Sequence, residues 1–104
     1  MSTFAIGQLG VVFNPRLYNS LTLSAVDLTN AAAVVIEFER PDGTTFEKTA
    51  TIDSPPTSGL VTYENNSPDA SVFEQAGELR FRIRATFTDG DLMIGAWITN
   101  TIIN

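Results

Sequence analysis

Residues 77–92 read Gly-Glu-Leu-Arg-Phe-Arg-Ile-Arg-Ala-Thr-Phe-Thr-Asp-Gly-Asp-Leu, and no other stretch narrows the fold as much. Leu79, Phe81, Ile83, Ala85 and Phe87 fall on one side of an extended chain. Arg80, Arg82, Arg84, Thr86 and Thr88 fall on the other. Side chains alternate faces in a strand, so this alternation predicts a long β-strand with one dry and one wet face. A helix would scatter the same residues around its circumference. Asp89-Gly90 supplies the positive φ of a tight hairpin turn. The return segment, Leu92–Ile103, carries Ile94, Trp97, Ile98 and the Ile102-Ile103 pair and is expected to be the hairpin partner. Such a strand pair needs a second apolar layer over its dry face.

The rest of the chain offers that layer. Phe4–Phe13 holds Leu9, Val11 and Phe13 in alternation, with Gly7 and Gly10 marking a bulge or an edge position. Asn14-Pro15 ends it. Leu21, Leu23 and Ala25 alternate with Thr22 and Ser24 and predict a second strand. Asp27 is placed to cap a single helical turn before the Ala31–Ala33 run. Val34, Ile36 and Phe38 form the next inward set, with Glu37 and Glu39 outward. Arg40-Pro41-Asp42-Gly43 is a turn, with proline presetting φ and glycine taking the left-handed site. The chain returns through Phe46, Ala50 and Ile52, with Glu47, Thr49 and Thr51 outward; Lys48, on the inward phase, reads as an edge side chain that snorkels out. Residues 53–59, with two prolines, form a loop. Val61 and Tyr63 start a short strand. Residues 64–75 are polar and turn-rich, with Val72 and Phe73 pinning one helical turn against the core.

About seven short strands punctuated by turns predict an all-β fold: one immunoglobulin-like antiparallel β-sandwich domain over residues 1–104. A barrel of the same strands is the competing architecture.

Composition then limits the chemistry. The chain has no cysteine and no histidine, which removes histidine bases, triads and Cys/His metal sites. A net charge of −6 argues against nucleic acid as a partner, because backbone phosphates demand a basic face. No apolar run approaches the ~20 residues of a membrane-spanning helix, and the start, Met-Ser-Thr-Phe-Ala, lacks the pattern of a signal peptide. No cofactor is expected.

The candidate binding features are few. Arg80, Arg82 and Arg84 make a row on the wet face, half of the chain's six Lys and Arg. They are either a docking stripe for an acidic partner or glycan, or cross-strand partners of Glu37, Glu39 and Glu47. Asp89-Gly90-Asp91 resembles part of a calcium loop but lacks the remaining ligands, and a hairpin turn explains it. Asn65-Asn66-Ser67 matches a glycosylation pattern only by coincidence, with Pro68 directly after it. Trp97, Tyr18 and Tyr63 are candidates for a sugar-stacking platform, although scattered aromatics more often fill a core. Glu37 and Glu39 point outward with no activating neighbour, and the serines have no base, so an enzyme is not expected. The segments 4–10 and 99–104, which include Phe4, Ile6, Ile102 and Ile103, are poorly charged and β-prone; each can pair within the domain or add a strand to a neighbour's sheet.

The order of these signals carries a resemblance. Val-Asp-Leu-Thr-Asn-Ala (26–31) is succeeded by Glu-Arg-Pro-Asp-Gly (39–43) and Gly-Leu-Val-Thr-Tyr (59–63). Ala-Gly-Glu-Leu-Arg-Phe-Arg-Ile-Arg-Ala (76–85) and Asp-Gly (89–90) close the series. Over residues 4–103 this resembles the small immunoglobulin-like β-sandwiches of tailed-bacteriophage virions, such as the N-terminal domain of the baseplate upper protein. The resemblance implies a structural virion part present in many copies and held by contacts with other virion proteins and with copies of itself. In those baseplate proteins further platform-building segments come after the sandwich, whereas this sequence ends at Asn104. A capsid cement or decoration protein, or a tail or neck accessory, is therefore an equal expectation. The alternative expectation is a carbohydrate-binding module that aids attachment to a host surface.

Overall fold

A computed structural model describes residues 3–19, 21–65 and 71–103. It is an all-β, immunoglobulin-like sandwich of two sheets. The strands are β1 (Thr3–Ala5), β2 (Val11–Phe13), β3 (Ala31–Glu39), β4 (Thr45–Thr49), β5 (Thr51–Ile52), β6 (Val61–Asn65), β7 (Gly77–Phe87), β8 (Leu92–Ile94) and β9 (Ile98–Ile103). The larger sheet runs β1-β9-β7-β3-β4, with β8 also paired to β7; the smaller runs β2-β6-β5. All pairs are antiparallel except β1 with β9.

β7 is the central strand, as its alternation predicts. Leu79, Phe81, Ile83 and Ala85 are buried against the smaller sheet, and the arginines between them stay half-exposed. Burying four such side chains stabilises by roughly 1.5–3 kcal/mol for each large one. The core between the sheets is aromatic. The Phe13 ring meets Phe38 edge-on at 5.3 Å and Phe81 at 5.1 Å, and stacks on Phe73 at 5.9 Å. Val72 and Phe73 sit on the short 3-10 turn Ser71–Phe73, both buried, matching the expected pinning turn. Lys48 is half-buried on edge strand β4, its ammonium 5.8 Å from the Phe46 ring centroid.

Several expectations need correction. The predicted strand Leu21–Ala25 is instead the tip of a tight turn, and only Ala25 bridges back, to Tyr18. The Asn19 side-chain oxygen accepts from the N–H of Leu21 at 2.9 Å and of Thr22 at 3.2 Å, and the Asn19 carbonyl accepts from Leu23 at 2.8 Å. Local bonds of this kind outcompete a ladder. Leu23 is forced to a φ of 58°, and Leu21 and Leu23 are left 93% and 79% exposed.

The predicted strand Phe4–Phe13 is two strands in different sheets. Gly7 and Gly10, at φ 77° and 78°, turn the chain between them. The predicted return Phe46–Ile52 also splits: β4 stays in the large sheet, and β5 leaves it at Ala50 to pair with β6. Asp27 does cap, accepting from the Thr29 N–H at 2.9 Å, but the residues after it make a turn closed by Ala31 N–H to Leu28 carbonyl, not a helical turn. The alanines already belong to β3.

The hairpin partner Leu92–Ile103 is interrupted as well. β8 pairs Arg84 with Ile94, while β9 pairs Phe81 with Ile98. The register slips by one between them, so Ala96 and Trp97 together oppose Arg82, which is a β-bulge. Because side chains alternate, the slip moves Trp97 from the core face to the arginine face.

Candidate interaction surfaces

The arginine row is fully engaged within its own sheet. Register places Arg80 opposite Glu39 and Arg82 opposite Glu37. The Arg80 guanidinium donates to Glu39, its Nε at 3.0 Å. The Arg82 Nε donates to Glu37 Oε1 at 3.0 Å. Arg84 spans two carboxylates, with Nη1 3.2 Å from Glu37 Oε2 and Nη2 2.5 Å from Glu47 Oε2. Of the two sequence readings, this geometry is cross-strand pairing. Each partly exposed pair contributes roughly 0.2–1 kcal/mol. Sequence reasoning missed one further member: the Trp97 ring lies under Arg80 at 4.6 Å and Arg82 at 4.2 Å, a stacked cation–π arrangement. The bulge places it there, and a bulge leaves no mark in simple alternation. The outer face of the large sheet is thus a closed ladder of three arginines, three glutamates and one indole.

The two terminal segments find each other. Phe4 pairs with Ile102 and Ala5 with Ile103 in parallel, and the Ile6 N–H donates to the Ile103 carbonyl at 3.0 Å. Phe4 packs on Phe73 at 5.0 Å, and Ile102 is buried. Ile6 and Ile103 remain exposed at the rim. Intradomain pairing therefore uses this pair of segments.

Trp97, Tyr18 and Tyr63 have three different sets of neighbours. Tyr63 belongs to the core, 6.3 Å from Phe13 and 6.1 Å from Phe38. Tyr18 is exposed, and Trp97 lies beneath the arginines. They do not form one stacking platform.

Asp89-Gly90-Asp91 is the hairpin turn expected. Phe87 N–H donates to the Asp91 carbonyl, Asp91 N–H donates to the Asp89 carboxylate at 2.9 Å, and Gly90 adopts φ 94°. Asn65 is wholly buried with both ends of its amide engaged; residues 66 and 67 of the glycosylation pattern lie outside the described residues. Asp42 in the β3–β4 turn is held down to about 2 by the Thr44 hydroxyl, then the Thr44 N–H and the Gln75 amide. That serves turn structure, not chemistry.

Five exposed apolar side chains, Val12, Tyr18, Leu23, Ile94 and Ile98, line two adjoining grooves. A groove of about 610 Å³ runs between the segment after β2 and the β8–β9 edge, lined by Pro15, Tyr18, Leu23, Ile83, Ile94 and Ile98. A smaller one of about 240 Å³ continues it past Val12, Phe13 and Asn100. Arg16 is the single charged residue among those lining the two. Among the described residues, neither β8 nor the bridged segment at Arg16 and Tyr18 is paired on the groove side. Leu17 and Asn19 donate to Gly59 and Ser24, so in an antiparallel pairing the Arg16 and Tyr18 peptide groups point the other way.

No protein-family model and no curated protein matches the chain. Among solved structures, the crystal structure of CopC from Methylosinus trichosporium OB3b is similar in fold, with a TM-score of 0.50, 13% identity, and coverage of 98% of this chain and 84% of that one. At that identity the likeness speaks to the β-sandwich alone.

Proposed function

We propose that this chain is a non-enzymatic structural protein of a tailed-phage virion, a baseplate or tail accessory or a capsid cement or decoration protein that acts in many copies through protein–protein contacts. The observation that carries this reading is the open side of the sandwich. Val12, Tyr18, Leu23, Ile94 and Ile98 are exposed and line its two grooves, beside backbone edges that no described residue pairs and one charge. Apolar surface of that kind, continuous along one side, is the mark of a contact surface. The opposite edge is guarded by Glu47 and Lys48, the usual protection against unwanted strand addition. The arginine row, by contrast, is neutralised in place by Glu37, Glu39 and Glu47. The sequence resemblance to phage sandwiches supports the virion as the assembly, with other virion proteins and copies of itself as the proposed partners.

Mass spectrometry of purified virions of the encoding phage tests this. The expected result is the intact chain at a constant copy ratio to a major structural protein after gradient purification. Its absence from such particles overturns the reading.

A further inference from the structure

We infer that β8 is a self-complementary edge through which two copies of this chain pair about a two-fold axis, joining their large sheets into one. The argument begins with which backbone groups are free. Phe87 N–H donates to the Asp91 carbonyl and Gly95 N–H to the Ile83 carbonyl. Residues 91, 93 and 95 are therefore the ones that bond toward β7. The N–H and C=O of Leu92 and Ile94 point outward, by the alternation of an antiparallel ladder, and no described residue pairs with β8 on that side.

A two-fold axis through Met93 sets Leu92 opposite Ile94 of the second copy, and Ile94 opposite its Leu92. Each of these is then a bonded pair, so all four free groups of each copy are satisfied by four hydrogen bonds. Centring on Leu92 or Ile94 would draw Gly90 or Ala96, outside β8, into the ladder, whereas this register keeps every bonded residue within the strand. A one-residue slip would bring outward-facing groups opposite inward-facing ones.

The side chains fit the same register. Leu92 and Ile94, 55% and 46% exposed in the single chain, meet their counterparts as apolar cross-strand pairs. Asp91 faces Gly95 of the other copy, so no carboxylate meets a carboxylate although each chain carries a net charge of −6. Such an interface is isologous and closes at two copies.

A second feature points to the same place. Leu23 is held at a left-handed φ of 58° and almost fully exposed, where glycine or asparagine would sit without strain. It lines the groove with Ile94. A strand added along β8 lies against the mouth of that groove, which gives this strained leucine a surface to cover.

The pairing stands on backbone geometry and is independent of the virion reading: a dimer absent from virions sinks that reading alone, and a virion-bound chain that never pairs through β8 sinks this one alone. Sedimentation equilibrium on the full chain is the test. The expected result is a reversible monomer–dimer equilibrium that Leu92→Glu with Ile94→Glu weakens by at least about tenfold, with unchanged circular dichroism because both side chains are largely exposed. Thr45→Glu on the β4 edge is expected to leave association as it is. Leu92→Cys with Ile94→Cys, in a chain without other cysteines, is expected to give a disulfide-linked dimer on mild oxidation, because bonded antiparallel Cα atoms lie about 5.5 Å apart, within disulfide reach. A chain that stays monomeric at every concentration overturns the pairing, as does a dimer that resists the double glutamate variant and yields no cross-link.

Discussion

The buried amide of Asn65 accepts from the Val11 N–H at 2.8 Å, and its own NH2 donates at 2.8 Å to the carbonyl of Gln8. One side chain on β6 thereby fixes the loop that carries the N-terminal segment from one sheet to the other. Asn65→Ala leaves both backbone groups without a partner. Removing one partner of a buried hydrogen bond costs about 1–3 kcal/mol, so urea denaturation is expected to show a loss in that range. Asn65→Asp keeps an acceptor for the Val11 N–H but sets a carboxylate oxygen against the Gln8 carbonyl in a fully buried site, and at neutral pH is expected to lose at least as much. A variant as stable as the parent would mean that water replaces the amide.

Gly59 stands where a side chain cannot. Its φ is 70°, and a Cβ there would lie 2.8 Å from the Leu17 carbonyl oxygen. Gly43 shares the positive φ, at 89°, with nothing within 4 Å. Both alanine substitutions incur the left-handed strain of about 1–2 kcal/mol, but Gly59→Ala must also push two backbone segments apart. The expected order of melting temperatures is parent, Gly43→Ala, then Gly59→Ala well below. Equal losses would show that the Leu17 segment yields freely.

Much of this fold is legible in the residues, and the failures share a cause. Alternation locates β7, β3 and their inward sets, because each packs one face on a core and the other on solvent. It also anticipates the pairing of Arg80, Arg82 and Arg84 with Glu37, Glu39 and Glu47, since charges on one outward phase of neighbouring strands have few other partners. What it misses depends on where a strand changes sheet or register. Leu21-Thr-Leu-Ser-Ala alternates perfectly, yet Asn19 captures its backbone first. Gly7, Gly10 and Ala50 redirect strands that look continuous. The open side near Tyr18 and Ile94 is invisible in the sequence because it is made by two segments distant along the chain that fail to pair.

Acid should loosen the β3–β4 turn. The Asp42 carboxylate, held down to about 2 by Thr44 and Gln75, has a lower value folded than unfolded. A depressed value means that the ionised form stabilises the fold, fully so above the ordinary carboxylate range, and that this contribution fades as pH falls toward 2. Asp27, lowered by its bonds to Thr29, acts in the same direction. Asp42→Ala is therefore expected to be less stable than the parent at neutral pH, with the difference closing on acidification below pH 4. A difference that is independent of pH would show that the loss comes from turn geometry alone.

Glu37 is the pivot of the charged ladder, because it serves both Arg82 and Arg84. Glu37→Gln keeps the shape and removes the charge. The expected cost is about 1 kcal/mol at low salt, shrinking as salt screens these half-exposed pairs. Double-mutant cycles between Glu37→Gln and Arg82→Gln should give a coupling of the same size. A coupling near zero would make the ladder geometric only.

The bulge at Ala96 and Trp97 makes a sharper prediction. Two residues oppose Arg82 there, with Gly95 opposite Ile83 before it and Ile98 opposite Phe81 after it. Deleting Ala96 leaves Trp97 opposite Arg82 and merges β8 and β9 into one regular strand, with every other side chain on its present face. Deleting Thr99 instead shifts the register by one for the rest of β9, or forces a new distortion, and turns the buried Ile102 toward solvent. The Ala96 deletion is therefore expected to fold and to keep the tryptophan emission of a ring stacked beneath Arg80 and Arg82. The Thr99 deletion should lose several kcal/mol, as expected for unburying a large core side chain and its neighbours. Thermal melts monitored by tryptophan fluorescence separate the two, and the reverse order of stabilities would show that the bulge is needed for folding and is not merely a local aim for Trp97.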